Sequence, residues 1–362
     1  MKTNNIKITE ALSAFFSAKI ISCEPYGNGH INDTFLVICD KSYILQKLNT
    51  SIFSRPAELM ENILNVTLHI RKKTAELGGD VERCSLNVVP TLSGDLLFKD
   101  SDGECWRLFD LVEGTVTKER VENAYDFYTC AKAFGNFQKM LSDFPAETLH
   151  EPIKNFHNTP WRYDNLMKAV AEDKCGRLAS VLPEVNFAKE REAFCKILEK
   201  ARIDGSLPLR VTHNDTKLNN ILFDQNSADT VCVIDLDTVM PGYSVTDFGD
   251  SIRFGANTAA EDETDLSKVT LDLSLFEVYA KGFIEGCGGA LTEKEIELLP
   301  EGAMIMTLEC GMRFLTDHLE GDTYFKIHRE NHNLDRARNQ FALVADMERK
   351  LDAMKNIIKN IK

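Results

Sequence analysis

The apolar pattern changes period about a third of the way along the chain. Residues 8–20 open it as an amphipathic helix, with Thr9 a candidate N-cap ahead of Leu12, Phe15, Phe16 and Ile20. Strands then dominate. They are expected on both sides of the glycine pair at 27 and 29, over residues 42–48, and over 86–92, 95–98 and 104–112, joined by Ser-Gly-Asp and Asp-Gly turns. Between them, Pro56 to Arg71 predicts a helix with Leu59, Ile63, Val66 and Ile70 on one face and Glu58, Glu61 and Asn62 on or near the other. Past Gly114 the spacing becomes helical, first through Ala124, Phe127, Tyr128, Ala131, Phe134, Gln138 and Leu141. Further helices are expected over residues 163–174, 187–203, 304–319 and 335–362. The last spans only about three heptads, so docking on the helical part is expected rather than a coiled coil.

One stretch interrupts the helices. Apolar residues 207–211 lead into His213-Asn214-Asp215-Thr216-Lys217-Leu218-Asn219-Asn220, followed by Ile221-Leu222-Phe223 and by Val231 to Ile234, which ends in Asp235-Leu236-Asp237. Strand, turn and strand with acids and amides at the turns can hold a divalent ion. Asn220 offers a carbonyl oxygen and Asp235 a carboxylate, the hard oxygen ligands that Mg²⁺ takes beside substrate phosphates. Asp215 is then left as the candidate proton acceptor for an attacking hydroxyl.

The pattern H-x-D-x-K-x-x-N, with a further Asp after a β-run, matches the catalytic and metal loops of protein-kinase-like phosphotransferases. His213 to Lys217 resembles the version in aminoglycoside and choline kinases. The longer wording, through Ile234-Asp235-Leu236-Asp237-Thr238 and Asp247-Phe248-Gly249-Asp250-Ser251-Ile252-Arg253, resembles the N-acetylhexosamine 1-kinases, over about Glu24 to Met347. The resemblance implies an α+β, protein-kinase-like fold of the aminoglycoside phosphotransferase type. It places a small β-rich lobe at residues 1–112 and a larger helical lobe at 113–362. It implies ATP as co-substrate, Mg²⁺, and phosphorylation of the anomeric hydroxyl of N-acetylglucosamine or N-acetylgalactosamine.

Under that resemblance Asp215 and Lys217 are catalytic, Asn220 and Asp235 bind the metal, and Asp247 braces the catalytic loop near His213; otherwise Asp247 would cap a helix starting near Ser251. Asp247-Phe248-Gly249 spells the metal-binding tripeptide of protein kinases but lies too far beyond Asp215 to be that element. Gly27, Gly29, His30 and Asn32 fall in the loop covering the nucleotide. The strand lysine that usually anchors phosphates would fall near Gln46, with Lys47 beside it on the opposite face. Glu58 and Glu61 are either solvated surface acids or, one of them, that lysine's partner. Asp110 to Val112 form the hinge whose backbone meets adenine. Asp215, Arg313 and Tyr324 are substrate contacts, and His157 lies in a turn where it either touches substrate or is structural. Glu309, Arg313 and Asp317 share a helix face as an acid–Arg–acid ladder.

A formal net charge of −14 over 362 residues argues against nucleic acid as a partner, since phosphate backbones need a basic face. The 10 cysteines are scattered with no C-x-x-C pair, which predicts reduced, mostly buried thiols in a cytoplasmic protein. No signal peptide or membrane span is expected, because Ser13, Ser17 and Lys19 break the first apolar stretch. A monomer acting on a small sugar is the expectation. The competing expectations are a kinase of the same fold for an aminoglycoside, choline, homoserine or another sugar, and a non-catalytic nucleotide-binding scaffold.

Overall fold

The computed structural model describes residues 2–27, 31–227 and 229–361, with side chains from Lys7 on. The chain opens with α1 (Lys2–Phe15), β1 (Ser22–Pro25), β2 (Asp33–Ile38), β3 (Ser42–Lys47) and α2 (Pro56–Glu76). Then come β4 (Val88–Val89), β5 (Phe98–Lys99), β6 (Cys105–Asp110) and β7 (Thr115–Val116). Helices follow: α3 (Ala124–Met140), α4 (Thr159–Glu172), α5 (Leu182–Lys189), α6 (Glu192–Cys195) and α7 (Ile197–Ile203). Four short strands, β8 (Arg210–Thr212), β9 (Ile221–Asp224), β10 (Thr230–Val233) and β11 (Met240–Gly242), precede α8 (Ser244–Gly255). The remainder is α9 (Leu273–Cys287), α10 (Glu293–Glu297), α11 (Leu299–Glu320) and α12 (His332–Ile361).

The chain divides into two compact units. The first comprises Met1–Thr117, Asp143–Lys154 and Ile221–Met240; the second comprises Lys118–Ser142, Asn155–Asn220 and Pro241–Lys362. The first unit is an antiparallel sheet ordered β1-β2-β3-β6-β4, with β5 also on β6, and a smaller sheet β10-β9-β7. Its register sets Asp33 opposite Lys47 and Gln46 opposite Arg107. Apolar residues of α1 (Ala11, Phe15) pack on Val37, Tyr43, Leu45, Trp106 and Leu108 of β2, β3 and β6. In the second unit α4, α5, α11 and α12 share a core that includes Leu166, Val185, Met312 and Val344.

The structure moves several expected boundaries. Helix α1 ends at Phe15, so Thr9 is interior and does not cap it. Strand β4 is only two residues long, since Pro90 lacks the N–H that would extend the ladder and Leu92 is exposed. The single helix expected over 187–203 is three short ones, with Arg191 at the first break bonded to Phe187 O and to the Glu348 carboxylate. Asn62, expected on the polar face of α2, is buried: its amide donates to His150 O and Val239 O. Glu58 pairs with Arg55 and Glu61 with His150, so neither acid partners a strand lysine. All ten cysteines are free thiols, six of them buried. Among the described residues no helix is long and apolar enough to cross a membrane.

Candidate active site

In the second unit the catalytic loop leaves β8 at Thr212 and closes in a 3₁₀ turn over Leu218–Asn220. It turns at Asn214, whose φ of +65° lies in the left-handed region that Asn tolerates better than most side chains. Helix α8 holds this backbone in place. Asp247 accepts hydrogen bonds from the N–H groups of His213 (2.9 Å) and Asn214 (2.8 Å) and from the Gln138 amide (2.9 Å). Thr216 donates its hydroxyl to Asp247 O (2.5 Å) and its N–H to Asp250 (3.2 Å). Ser251 donates to Thr216 O (2.6 Å) and accepts from Tyr279 (2.5 Å). Residues 247, 250 and 251 share one face by i, i+3, i+4 spacing. The His213 ring lies edge-on to Phe134 and near Phe137, and its Nδ1 accepts from the Asp215 N–H.

Asp215 lies at the partly exposed tip of the loop. Lys217 Nζ is 2.8 Å from its Oδ1, and the Asn220 amide donates to its Oδ2 (3.0 Å) and its carbonyl (2.8 Å). Burial opposes ionisation, but the Lys217 charge, His213 and the Asn220 amide outweigh it and hold the carboxyl below its usual range. The Asp215 charge in turn raises Lys217. Asp247 is the reverse case: desolvation dominates its three donors and pushes its carboxyl up. With its Nδ2 directed to Asp215, Asn220 keeps its Oδ1 available, which suits a hard cation.

Beside this loop the second unit carries an aromatic and cationic cluster. His157 bridges Glu309 (2.8 Å) and Asn214 O (3.1 Å), and Thr159 donates to the same carboxylate (2.6 Å). Glu309 is therefore held by His157 and Thr159, and Asp317 accepts from the N–H groups of residues 323–325. The expected acid–Arg–acid ladder does not form. Instead the Arg313 guanidinium lies over the rings of Phe156 (5.1 Å) and Phe325 (5.5 Å), with no hydrogen bond or ion pair among the described residues. Arg162 donates to Phe156 O and lies over Trp161; burial and the Arg313 charge bring its pKa down to about 10. Tyr324 is exposed and packs edge-on against Phe325.

In the first unit Asp235 follows β10 with φ +57° and ψ +58°, an exposed carboxylate on a strained backbone. Two residues on, Asp237 is buried and clasped by Arg107. Gln46 accepts from Arg107 Nε (3.0 Å) and donates to Thr34 (3.0 Å). Lys47 pairs with Asp33 (2.9 Å) and Asn32 donates to Asp237 (2.7 Å). Gly27 has φ +75° with open space around it, while Gly29 and His30 lie outside the described residues. Asp110 pairs with Lys41 and accepts from Asn87; its N–H donates to Asn87 O. Val112 O accepts from Thr115 (2.7 Å). Among the described residues no group of three or more His, Cys, Asp or Glu is arranged to hold a metal.

Sequence reasoning gave no site role to Asp250, Ser251 or Gln138, and placed Glu309 only in the acid–Arg–acid ladder. Only the α8 spacing signalled the first two.

A β-sheet unit joined in sequence to a helical unit carrying an ordered H-x-D-x-K-x-x-N loop defines a kinase-like phosphotransferase. Residues 22–272 match the family model described as the phosphotransferase enzyme family, APH, and the chain belongs to that family. Solved structures share the fold at low identity. An aminoglycoside phosphotransferase from Alicyclobacillus acidocaldarius is 14% identical at a TM-score of 0.63, covering 96% of this chain and 95% of that one. A microcompartment-associated aminopropanol kinase is 15% identical at 0.60, covering 97% and 98%. Amicoumacin kinase, in complex with AMP-PNP and Ca²⁺, is 10% identical at 0.58, covering 96% and 93%.

Proposed function

We propose that the chain transfers the γ-phosphoryl group of ATP to the anomeric 1-hydroxyl of an N-acetylhexosamine, N-acetylglucosamine or N-acetylgalactosamine. The observation that carries the acceptor class is the pair Arg162 and Arg313. Two guanidiniums that no carboxylate bonds among the described residues, both against Phe156 next to the His157 that touches the loop, disfavour a cationic acceptor. They suit an acceptor rich in hydrogen-bond acceptors, such as sugar hydroxyls and an acetamido carbonyl. The motif resemblance around residues 213–253 narrows this to hexosamines, with Arg313 and Tyr324 as contacts.

In this reading the Asp215 carboxylate orients the 1-hydroxyl and receives its proton. The sugar oxygen bonds to the γ-phosphorus as the bond to the ADP oxygen breaks, and ADP leaves. Lys217 stabilises the charge on the transferring group. Its salt bridge to Asp215 also makes that carboxylate a weak base, which shifts its role toward orientation, enough for a comparatively acidic anomeric hydroxyl. Asn220 and Asp235 would hold Mg²⁺, which supplies charge neutralisation on the phosphates when bound. The Val112 N–H, with no partner among the described residues, is the proposed adenine contact. Gly27, Gly29, His30, Asn32, Gln46, Lys47 and Asp110 complete the proposed nucleotide side.

A second reading, favoured by the same arginines, is an acceptor bearing a carboxylate, such as homoserine. The test is an ATP-consumption screen across hexoses, N-acetylhexosamines, aminoglycosides, amino alcohols and homoserine, with the phosphorylated position fixed by NMR. A hexosamine 1-phosphate is the expected product. Turnover of amino alcohols or aminoglycosides alone would sink the acceptor assignment. Thermal stabilisation by Mg²⁺–ATP without turnover of any acceptor would favour a scaffold.

A further inference from the structure

The place where a strand lysine is expected holds a different device. On β3, Gln46 faces Arg107 of β6 across the ladder. Arg107 is 2% exposed and Asp237 4%, and they form a two-pronged pair, Nη1 to Oδ1 at 2.5 Å and Nη2 to Oδ2 at 2.9 Å. The third edge of the guanidinium, Nε, donates to Gln46. Asp237 Oδ2 also accepts from Asn32 just ahead of β2, and Asn32 in turn accepts from the Asn49 N–H. Asn62 of α2 grips Val239 O at the far end of the same turn. Residues 235–239 are therefore clamped from β6, Asn32 and α2, all within the first unit.

We infer that Arg107 is the positioning residue of the metal loop: by clasping Asp237 it fixes the left-handed turn at Asp235 that presents the proposed Mg²⁺ ligand. This rests on the metal role proposed for Asp235. The physical reasons are three. Asp235 holds a backbone conformation that costs free energy and persists only where its surroundings over-determine it. Asp237 lies inside the 3₁₀ turn Leu236–Thr238 immediately after it, so its bonds to Arg107 and Asn32 anchor that turn to the sheet. Finally, Gln46 and Lys47 are each engaged, Gln46 by Arg107 and Thr34 and Lys47 by Asp33, so the buried cation of this sheet serves the loop from β6. Residues that orient a metal ligand typically change metal affinity or activity by about 10–100-fold when replaced. A lysine at 107 would keep the charge but lose the planar fork.

The experiment compares the wild type with Arg107→Lys, the double variant Arg107→Met/Asp237→Leu, and Asp235→Asn. Binding of Mg²⁺–AMP-PNP is followed by calorimetry, Mg²⁺ dependence by ATP turnover, and folding by melting temperature. The double variant removes both buried charges at once, a replacement that buried pairs tolerate far better than loss of one partner. The expected result is about tenfold or more weaker Mg²⁺–AMP-PNP binding in both Arg107 variants. The Mg²⁺ requirement should rise in parallel, with the acceptor KM within about twofold of wild type. A folded Arg107→Lys or double variant with wild-type Mg²⁺–AMP-PNP affinity overturns the inference. If Asp235→Asn binds and turns over as wild type does, the metal assignment itself fails and takes the inference with it. If Asp235→Asn is impaired and the Arg107 variants are not, only the inference fails.

Discussion

Two carboxylates on neighbouring stretches of the second unit are pushed in opposite directions, and the difference sorts their roles. Asp247 is enclosed and bonded to loop N–H groups, so it holds shape. Asp215 is partly open, paired with Lys217 and kept ionised, which supports the proposal that it meets the acceptor hydroxyl. Asp215→Asn is expected to lower kcat by about 10² or more, the low end for general acid–base groups, with the melting temperature little changed. Steady-state kinetics at saturating ATP and acceptor check this; a loss under about tenfold would count against the assignment. Asp235→Asn is expected to lose at least as much. Asp215 and Asn220 were legible in the sequence because their relation is local: five residues separate them and one amide joins them. The contacts of His157, Glu309 and Gln138 were not, since their bonds to the loop, to each other or to β8 close over separations of 57, 152 and 73 residues.

Helix α8 shows why motif spelling misleads when it is taken apart from its element. Asp247-Phe248-Gly249 sits in its first half, and each residue faces a different neighbour. Asp247 meets the catalytic loop, Phe248 is fully buried edge-on to Phe276, Tyr279 and Phe283, and Gly249 lies against α11. A Cβ at Gly249 would stand 2.4 Å from Gly302 O, and one at Gly302 2.4 Å from Val245 O. The two helices approach backbone to backbone, and neither glycine is replaceable without moving a helix. Gly249→Ala is expected to destabilise by about 1–3 kcal/mol, the usual range for overpacking. Urea unfolding measures it, and a change below about 0.5 kcal/mol would mean the pair yields freely. Every residue from Ser244 to Arg253 is buried. An element buried all round has no apolar stripe to read, so its start was expected near Ser251 and lies at Ser244.

Across the whole molecule, local periodicity revealed the change from strands to helices but not how the chain is shared out. Segments 143–154 and 221–240 belong with the first unit although they lie in the helical part of the sequence. Such membership is decided by pairings like Thr115 with Asp224, which no spacing rule reports. Long-range ties also set the acid limb of stability, and α12 offers a measurable case. Asp346 is 5% exposed and accepts from Thr270 Oγ1 (2.6 Å), the Leu271 N–H (2.8 Å) and Lys350 (2.7 Å). Burial opposes its charge, but these donors win and hold its carboxyl at about 2. Asp143, also held at about 2 by Lys73 and His69, is 61% exposed, so water and salt screen its contribution. For Asp346 the folded value lies below the unfolded one, so its stabilisation is complete above the unfolded pKa of about 3.9 and fades as pH falls toward 2. A depression of roughly two units corresponds to about 2–3 kcal/mol. Asp346→Asn should therefore lose about that much in urea unfolding at pH 7 and at pH 5, beyond any pH-independent cost of the amide. About half of this pH-dependent gap should be gone at pH 3. A gap constant from pH 7 to pH 3 would mean that shape and hydrogen bonding, not charge, tie α12 to residues 270–271.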